Sequence, residues 1–146
     1  MGLVIFNVLL TIWVVIDALR RKAGVAKWGI GTLLVAPIVA TLYFAKRPLK
    51  AGEERHGGTA WNFLKNFSLA WTLHMAIWAG HYFIFVGNKL SETSSSAGKL
   101  GAAIGGTLGM TFLAMAWFFP MFGAVVLGFF LRKSSVVEKG PTGLLA

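Results

Sequence analysis

Four apolar runs, separated by short polar stretches, organise this 146-residue chain. The first covers Gly2 to Leu19, the second Trp28 to Ala45, the third Phe67 to Val86 and the fourth Gly101 to Leu131. A helix needs about 20 consecutive apolar residues to cross a bilayer. The first and third runs fit one crossing each; the second is slightly short, and the fourth is too long for one straight crossing. The pattern predicts an all-α polytopic membrane bundle, a single domain over residues 1–146 with four transmembrane helices. Pro37, at the centre of the second run, and Pro120, in the fourth, each remove an internal hydrogen bond. Both helices are therefore expected to bend there, and the fourth run reads as a span with a helical extension of about two turns.

Composition supports the membrane reading. Apolar residues make up 56% of the chain and charged ones 13%, about half the usual share, and the mean hydropathy is +0.70. So small a soluble domain lacks the interior volume to hide that much apolar surface. The chain has no cysteine, which excludes disulfides, thiolate metal sites, iron–sulfur clusters and cysteine nucleophiles. The net charge of +9 does not form a separate basic face, because nearly every Lys and Arg flanks an apolar run. That is the pattern of cytoplasmic flanks meeting anionic headgroups, and no nucleic-acid partner is expected. The cluster Arg20-Arg21-Lys22 follows the first run instead of preceding it, the reverse of a secretory signal peptide. The first run reads as a retained anchor, and the cytoplasmic membrane of a prokaryote is the expected location.

Charge and length disagree about the second run. Four crossings would put the linkers Arg20–Lys27 and Lys46–Lys65 on opposite sides, although both are basic, and would leave both termini on one side. If the second run is re-entrant, both linkers and the tail after Leu131 share the cytoplasmic side, and only Lys89 and Lys99 face outward. Against that, the run is long enough to cross with little mismatch, and a re-entrant backbone must be shielded by protein. Four crossings are the first expectation, three plus one re-entrant segment the alternative. The linker bearing Glu53, Glu54, Arg55 and His56 is expected to be a solvated loop, and Lys133–Ala146 an extended tail.

Trp13, Asp17, Arg20-Arg21, Trp28, Pro37, Tyr43 and Arg47 resemble the N-terminal two-helix membrane hairpin of phospholipase-D/nuclease-type membrane proteins. The resemblance covers about a third of the chain. The catalytic HxK motif of that superfamily is absent, so what it implies is an anchoring hairpin without phospholipase activity.

The third run carries the most chemistry. At 100° per residue His74 and His81 lie within about 20° of each other on one face, with Phe67, Trp71, Trp78 and Phe85 on the same stripe. Ser68, Thr72, Ala76 and Ala79 fall roughly opposite. Intramembrane ionisable groups are functional candidates, and imidazole with flanking aromatics can hold a haem b or chlorophyll-type tetrapyrrole. His74 and His81 are thus the candidate axial metal ligands, with Trp71 and Trp78 packing on the macrocycle. Separated by about 10.5 Å along the axis, the two cannot ligate one iron together. A bis-His site would need a second chain. The competing expectation is that both histidines simply hydrogen-bond to helices or headgroups.

The fourth run presents Gly101, Gly105 and Gly109, and the second presents Thr32, Ala36 and Ala40. Both are small-residue stripes of the kind that lets membrane helices approach closely, within the chain or against another subunit or copy. Asn7 and Thr11 stand one turn apart in the first run. Asp17, four residues before Arg21, has the acid-first order of a helix ion pair and is expected to form one at the membrane boundary. Catalytic residues are not identified: the chain has no nucleophile elbow, phosphate-cradling glycine loop or HExxH. The expected function is that of an accessory or structural subunit of a larger membrane complex, with a bioenergetic complex as a candidate setting, helping to pack helices or hold a cofactor. The alternatives are a homo-oligomeric transporter or channel and a redox or pigment subunit.

Overall fold

The computed structural model of the chain describes residues 2–142, less the side chain of Ser134. It is built from helices α1 (Gly2–Arg20), α2 (Val25–Leu34), α3 (Ala36–Lys46), α4 (Gly58–Glu92) and α5 (Ser96–Leu131), with two strands, β1 (Glu54–Gly57) and β2 (Lys133–Lys139). Among the described residues three helices, α1, α4 and α5, are long and apolar enough to cross a membrane. The expected four-span arrangement changes at the second run, which is two short helices instead of one.

The reason for the break lies around Val35. Its backbone (φ −138°, ψ 64°) leaves the helical region, and Pro37 stands in the first turn of α3. A proline there loses nothing, because first-turn N–H groups have no intrahelical partner; inside a continuous helix its ring would press on the carbonyl four residues back. The chain then folds back on itself. Gly31 faces Val39 so closely that a Cβ on Gly31 would lie 2.9 Å from Cγ1 of Val39. Further from the break, the rings of Trp28 and Tyr43 meet edge to face at 5.3 Å. Both pairs are nearly symmetric about Val35, so α2 and α3 are the two arms of a hairpin. In α5, by contrast, Pro120 lies inside a helix that continues unbroken to Leu131.

A tight reversal feeds this hairpin. At the end of α1 the N–H of Ala23 donates to the Ala18 carbonyl (2.9 Å) and that of Lys22 to Leu19 (3.2 Å), while Lys22 adopts φ 52°. This is the Schellman pattern, which satisfies the last helical carbonyls and turns the chain sharply. The hairpin packs on the C-terminal half of α1: Val14 and Ala18 from α1 and Ala40 and Tyr43 from α3 form a core with no exposed surface.

The α4–α5 hairpin forms the other half of the molecule. Ser95 Oγ accepts from the Gly98 N–H (3.2 Å) and caps the start of α5. The two helices are aligned by Trp71 Nε1 donating to the Ala116 carbonyl (3.2 Å) and Tyr82 Oη donating to that of Gly105 (2.9 Å). Spanning 35 and 36 residues, each is about 53 Å long, well beyond a hydrocarbon core of about 30 Å.

One sequence expectation is corrected, and another made more specific, by the segment that joins the halves. The linker is not a free loop: α4 already begins at Gly58, and β1 pairs antiparallel with β2, with Arg55 opposite Glu138 and His56 opposite Val137. The tail is likewise extended but paired as far as Lys139; residues 143–146 lie outside the described residues. The two-stranded sheet thus ties the end of α5 to the end of α3.

Candidate functional site

Ionic groups gather at one end of the molecule, and the fold-back of α2–α3 is what gathers them. Oδ2 of Asp17, in the last turn of α1, accepts from Arg21 Nε (2.8 Å), Tyr43 Oη (2.8 Å) and Arg47 Nη1 (2.9 Å). Arg21 also donates to both carboxylate oxygens of Glu53, at 2.6 and 2.9 Å, and to the Pro48 carbonyl at 2.7 Å. The side chain of Arg21 is only 4% exposed, so it is a buried guanidinium with a carboxylate on either side. This fork, with a further bond from the Lys50 N–H, pulls the Glu53 carboxyl down to about 2 and holds the guanidinium charge well above its ordinary range. Planar bidentate pairing is the geometry in which arginine binds carboxylates most strongly.

Arg55 is a second tie. It pairs with Glu138 (2.7 Å) and turns Nη1 to the Ala45 carbonyl (2.7 Å), capping the end of α3. Asn62 Nδ2 donates to the carbonyls of His56 and Gly58, both at 2.8 Å, and secures the start of α4. Of the residues that carry the resemblance to a membrane hairpin, Asp17, Arg21, Trp28, Tyr43 and Arg47 converge here. Spacing alone shows the Asp17–Arg21 pair. Tyr43, Arg47, Glu53, Arg55 and Glu138 join it only through tertiary contacts; the surplus of charge in the linker is the one signal that was visible.

All lysines and arginines except Lys89 and Lys99 lie at this end, because the reversals after α1 and α3, the strand pair and the starts of α4 and β2 all meet there. Lys89 and Lys99 flank the α4–α5 connection at the opposite end, near which the Gly2 N–H donates to His81 Nε2 at 3.3 Å.

Two cavities of about 730 Å³ each open at the cationic end. The first lies between α1, α3 and α4, with Arg47, Glu53, Arg55 and His56 at its polar rim and Phe6, Leu10 and Leu73 deeper in. The second lies along the α4–α5 seam, from Arg132 and Lys65 inward to Ser68 and Ala124.

The two candidate ligands on α4 have different surroundings. Phe63, Phe67, Trp71 and His74 form one continuous stack, with ring centroids 5.7–6.1 Å apart and planes within 20°. Phe6 of α1 approaches His74 at 6.4 Å. The buried His74 Nδ1 has no hydrogen-bond partner among the described residues. Higher on the stripe, Trp78 and Phe85 are exposed. His81 has Nδ1 3.0 Å from the Ile77 carbonyl, so with Nε2 accepting from Gly2 both its nitrogens are engaged. Among the described residues no group of three or more His, Asp or Glu side chains is placed to hold a metal ion. The structure thus separates the two histidines that the periodicity places together: one is packed, the other exposed and hydrogen-bonded.

The two small-residue stripes also part ways. Thr32, Ala36 and Ala40 are buried inside the chain. On α5, Gly109 is covered by the Tyr82 side chain and Gly106 by Val86, whereas Cβ atoms on Gly101 and Gly105 would meet nothing within 4 Å. Both faces of α4 reach α5: Trp71 of the aromatic stripe donates to the Ala116 carbonyl, and Thr72 of the small-residue face accepts from Trp117 Nε1 at 3.1 Å.

No protein-family model, curated protein or solved structure matches the chain.

Proposed function

We propose that this chain is a small accessory subunit of a larger complex in the cytoplasmic membrane of a prokaryote. In this reading α1, α4 and α5 cross the membrane and the α2–α3 hairpin is re-entrant, as an anchoring element against α1. The cationic end faces the cytoplasm and the N-terminus faces outward. The positive-inside rule supports this orientation, and with it the alternative of three crossings plus one re-entrant segment over four crossings.

The observation that carries the accessory role is the unoccupied face of α5. Gly101 and Gly105 stand one turn apart with nothing of the chain within contact of a Cβ. Only 11%, 6% and 11% of the residues in the most apolar stretch of each of the three spans are buried inside the chain. Glycine lowers helix stability by roughly 0.5–1 kcal/mol relative to alanine, and in membranes its use is to let a second helix come close. A neighbouring helix from another subunit fits that face.

Because the chain lacks cysteine, a single introduced thiol reports its neighbours cleanly. Gly105→Cys, cross-linked in native membranes, is expected to yield one reproducible adduct with a foreign membrane subunit. An adduct only with itself would favour the homo-oligomeric transporter or channel, and no adduct would remove the proposal's support. A tetrapyrrole held at His74 is tested on the same preparation by its visible spectrum. A Soret or chlorin band lost in His74→Ala supports it; absence of any band from gently purified protein overturns it.

A further inference from the structure

We propose that the seam between α4 and α5 at the cationic end is a binding site for one anionic phospholipid, its headgroup held by Lys65 and Arg132 and an acyl chain lying in the groove below. The site presupposes that both helices cross a membrane, but not that the chain has a partner subunit.

Among the described residues four acidic side chains lie at this end, and each is paired: Asp17 with Arg21 and Arg47, Glu53 with Arg21, Glu138 with Arg55, and Glu54 with Lys139. Lys65 and Arg132 have no carboxylate partner among the described residues, and the Arg132 guanidinium lies over the Trp61 ring, 5.4 Å from its centroid. Of the cations without a carboxylate, these two line the seam cavity, and that cavity contains no acid. The first cavity differs: Lys65 borders it too, but there Glu53 and Glu54 stand beside Arg47 and Arg55, so two carboxylates oppose its cations, whereas nothing opposes them in the seam.

The shape of the seam continues the argument. Ala124 and Gly128 of α5 and Arg132 just beyond its end are spaced four apart; on the antiparallel α4, Trp61 stands level with Gly128, so Lys65, one turn further in, stands level with Ala124. Gly128 is small because the Trp61 ring lies against it: a Cβ there would be 3.0 Å from the indole. Trp61 fills the space over Gly128, and the furrow runs beside it, lined by Leu64, Ala124, Val125 and Phe129. From Arg132 to Ala124 the furrow descends about 12 Å at 1.5 Å per residue, close to the depth of one leaflet, about half of a 30 Å hydrocarbon core. With Arg132 at the mouth and Lys65 beside the inner end, its flexible stem able to carry the ammonium back toward the headgroup level, two cations border an apolar trough, which matches a phosphate with an attached chain. A soluble anion would leave the trough unused.

A cation beside an anionic membrane surface is worth about a five-fold preference, so the pair implies about thirty-fold. The test is native mass spectrometry of the full chain in mild detergent, titrated with phosphatidylglycerol or phosphatidylcholine of identical acyl chains. Wild type is expected to retain one phosphatidylglycerol about thirty-fold more tightly than phosphatidylcholine. The double variant Lys65→Gln/Arg132→Gln should lose that preference, and Lys65→Arg/Arg132→Lys should keep most of it. A control, Lys27→Gln/Lys46→Gln, makes the same change of net charge outside both cavities and should leave it intact. Equal retention of the two lipids by wild type would overturn the proposal. So would an equal loss in the control, or binding of water-soluble glycerophosphate as tight as that of the lipid.

Discussion

Asp17→Asn removes one charge from the junction of α1 with the α2–α3 hairpin and leaves the shape of the side chain in place. In the native arrangement one carboxylate oxygen accepts three bonds of 2.8–2.9 Å, and the Asp17 side chain is 14% exposed. Hydrogen bonds to charged groups contribute roughly 1.5–3 kcal/mol each, and breaking a buried ion pair from one side costs about 3–5 kcal/mol. The loss here is smaller than a sum of three such bonds. Arg21 keeps both bonds to Glu53, and Arg47, at 27% exposure, recovers part of its hydration. A destabilisation of about 2–4 kcal/mol is expected. Tyr43→Phe, which removes one of the three bonds, should cost about 1–2 kcal/mol. Because both changes act on the same oxygen, the double variant should be more stable than the additive sum by about 1 kcal/mol. Reversible unfolding in mixed micelles, followed by far-ultraviolet circular dichroism, measures all three. A change below about 0.5 kcal/mol in Asp17→Asn, or strict additivity with Tyr43→Phe, would refute the idea that this carboxylate holds the hairpin to α1.

Three further outcomes are expected. Glu53 ionises at about 2 in the folded chain against an ordinary 4.5; its lowered value gives a stabilising contribution that is complete above about 5 and disappears as pH falls toward 2. Glu53→Gln should flatten that acid limb in an unfolding titration, and an unchanged limb would contradict the assignment. Gly106→Leu drives a side chain into Val86, 2.7 Å from the new Cβ, and should lower the stability of the purified chain by about 1–3 kcal/mol. Gly105→Leu, with open space around it, should leave that stability within about 0.5 kcal/mol while abolishing capture of the proposed partner. Arg55→Met uncaps α3 and unpairs Glu138, so limited proteolysis should reach Lys133 and Lys139 sooner; cleavage as slow as in the wild type would show that the strand pair does not depend on this arginine.

The sequence made much of this fold legible because lipid imposes a simple length rule. The first apolar run, Gly2–Leu19, coincides with α1 to within one residue, and the end of the fourth coincides with that of α5. The helices begin earlier than the apolar runs, at Gly58 and Ser96, because helix formation continues past the apolar boundary where Ser95 caps the first N–H groups of α5 and Asn62 ties the first turn of α4 to the His56 carbonyl. The second run resisted reading: hydropathy treats Trp28–Ala45 as continuous, whereas its path depends on what Val35 and Pro37 do and on whether the arms find a surface to pack on. Its two basic flanks were the better guide, since Asp17 requires Arg47 beside it and so brings the end of α3 back to the end of α1. The pairing of Arg55 with Glu138 spans 83 residues and leaves no periodic trace. Nor could helical periodicity tell which glycines on α5 meet α4, since Gly105 and Gly106 are adjacent in sequence yet one is open and the other covered.

The re-entrant path of α2–α3 is the centre of this account, and cysteine accessibility in sealed membrane vesicles tests it directly. Single cysteines are placed at Lys27, before the hairpin, at Ala51, after it, and at Ser94 between α4 and α5, and are labelled with a membrane-impermeant maleimide. The account predicts that Lys27→Cys and Ala51→Cys label from the same face, the cytoplasmic one, and Ser94→Cys from the other. Labelling of Lys27→Cys and Ala51→Cys from opposite faces would establish a fourth crossing and contradict it.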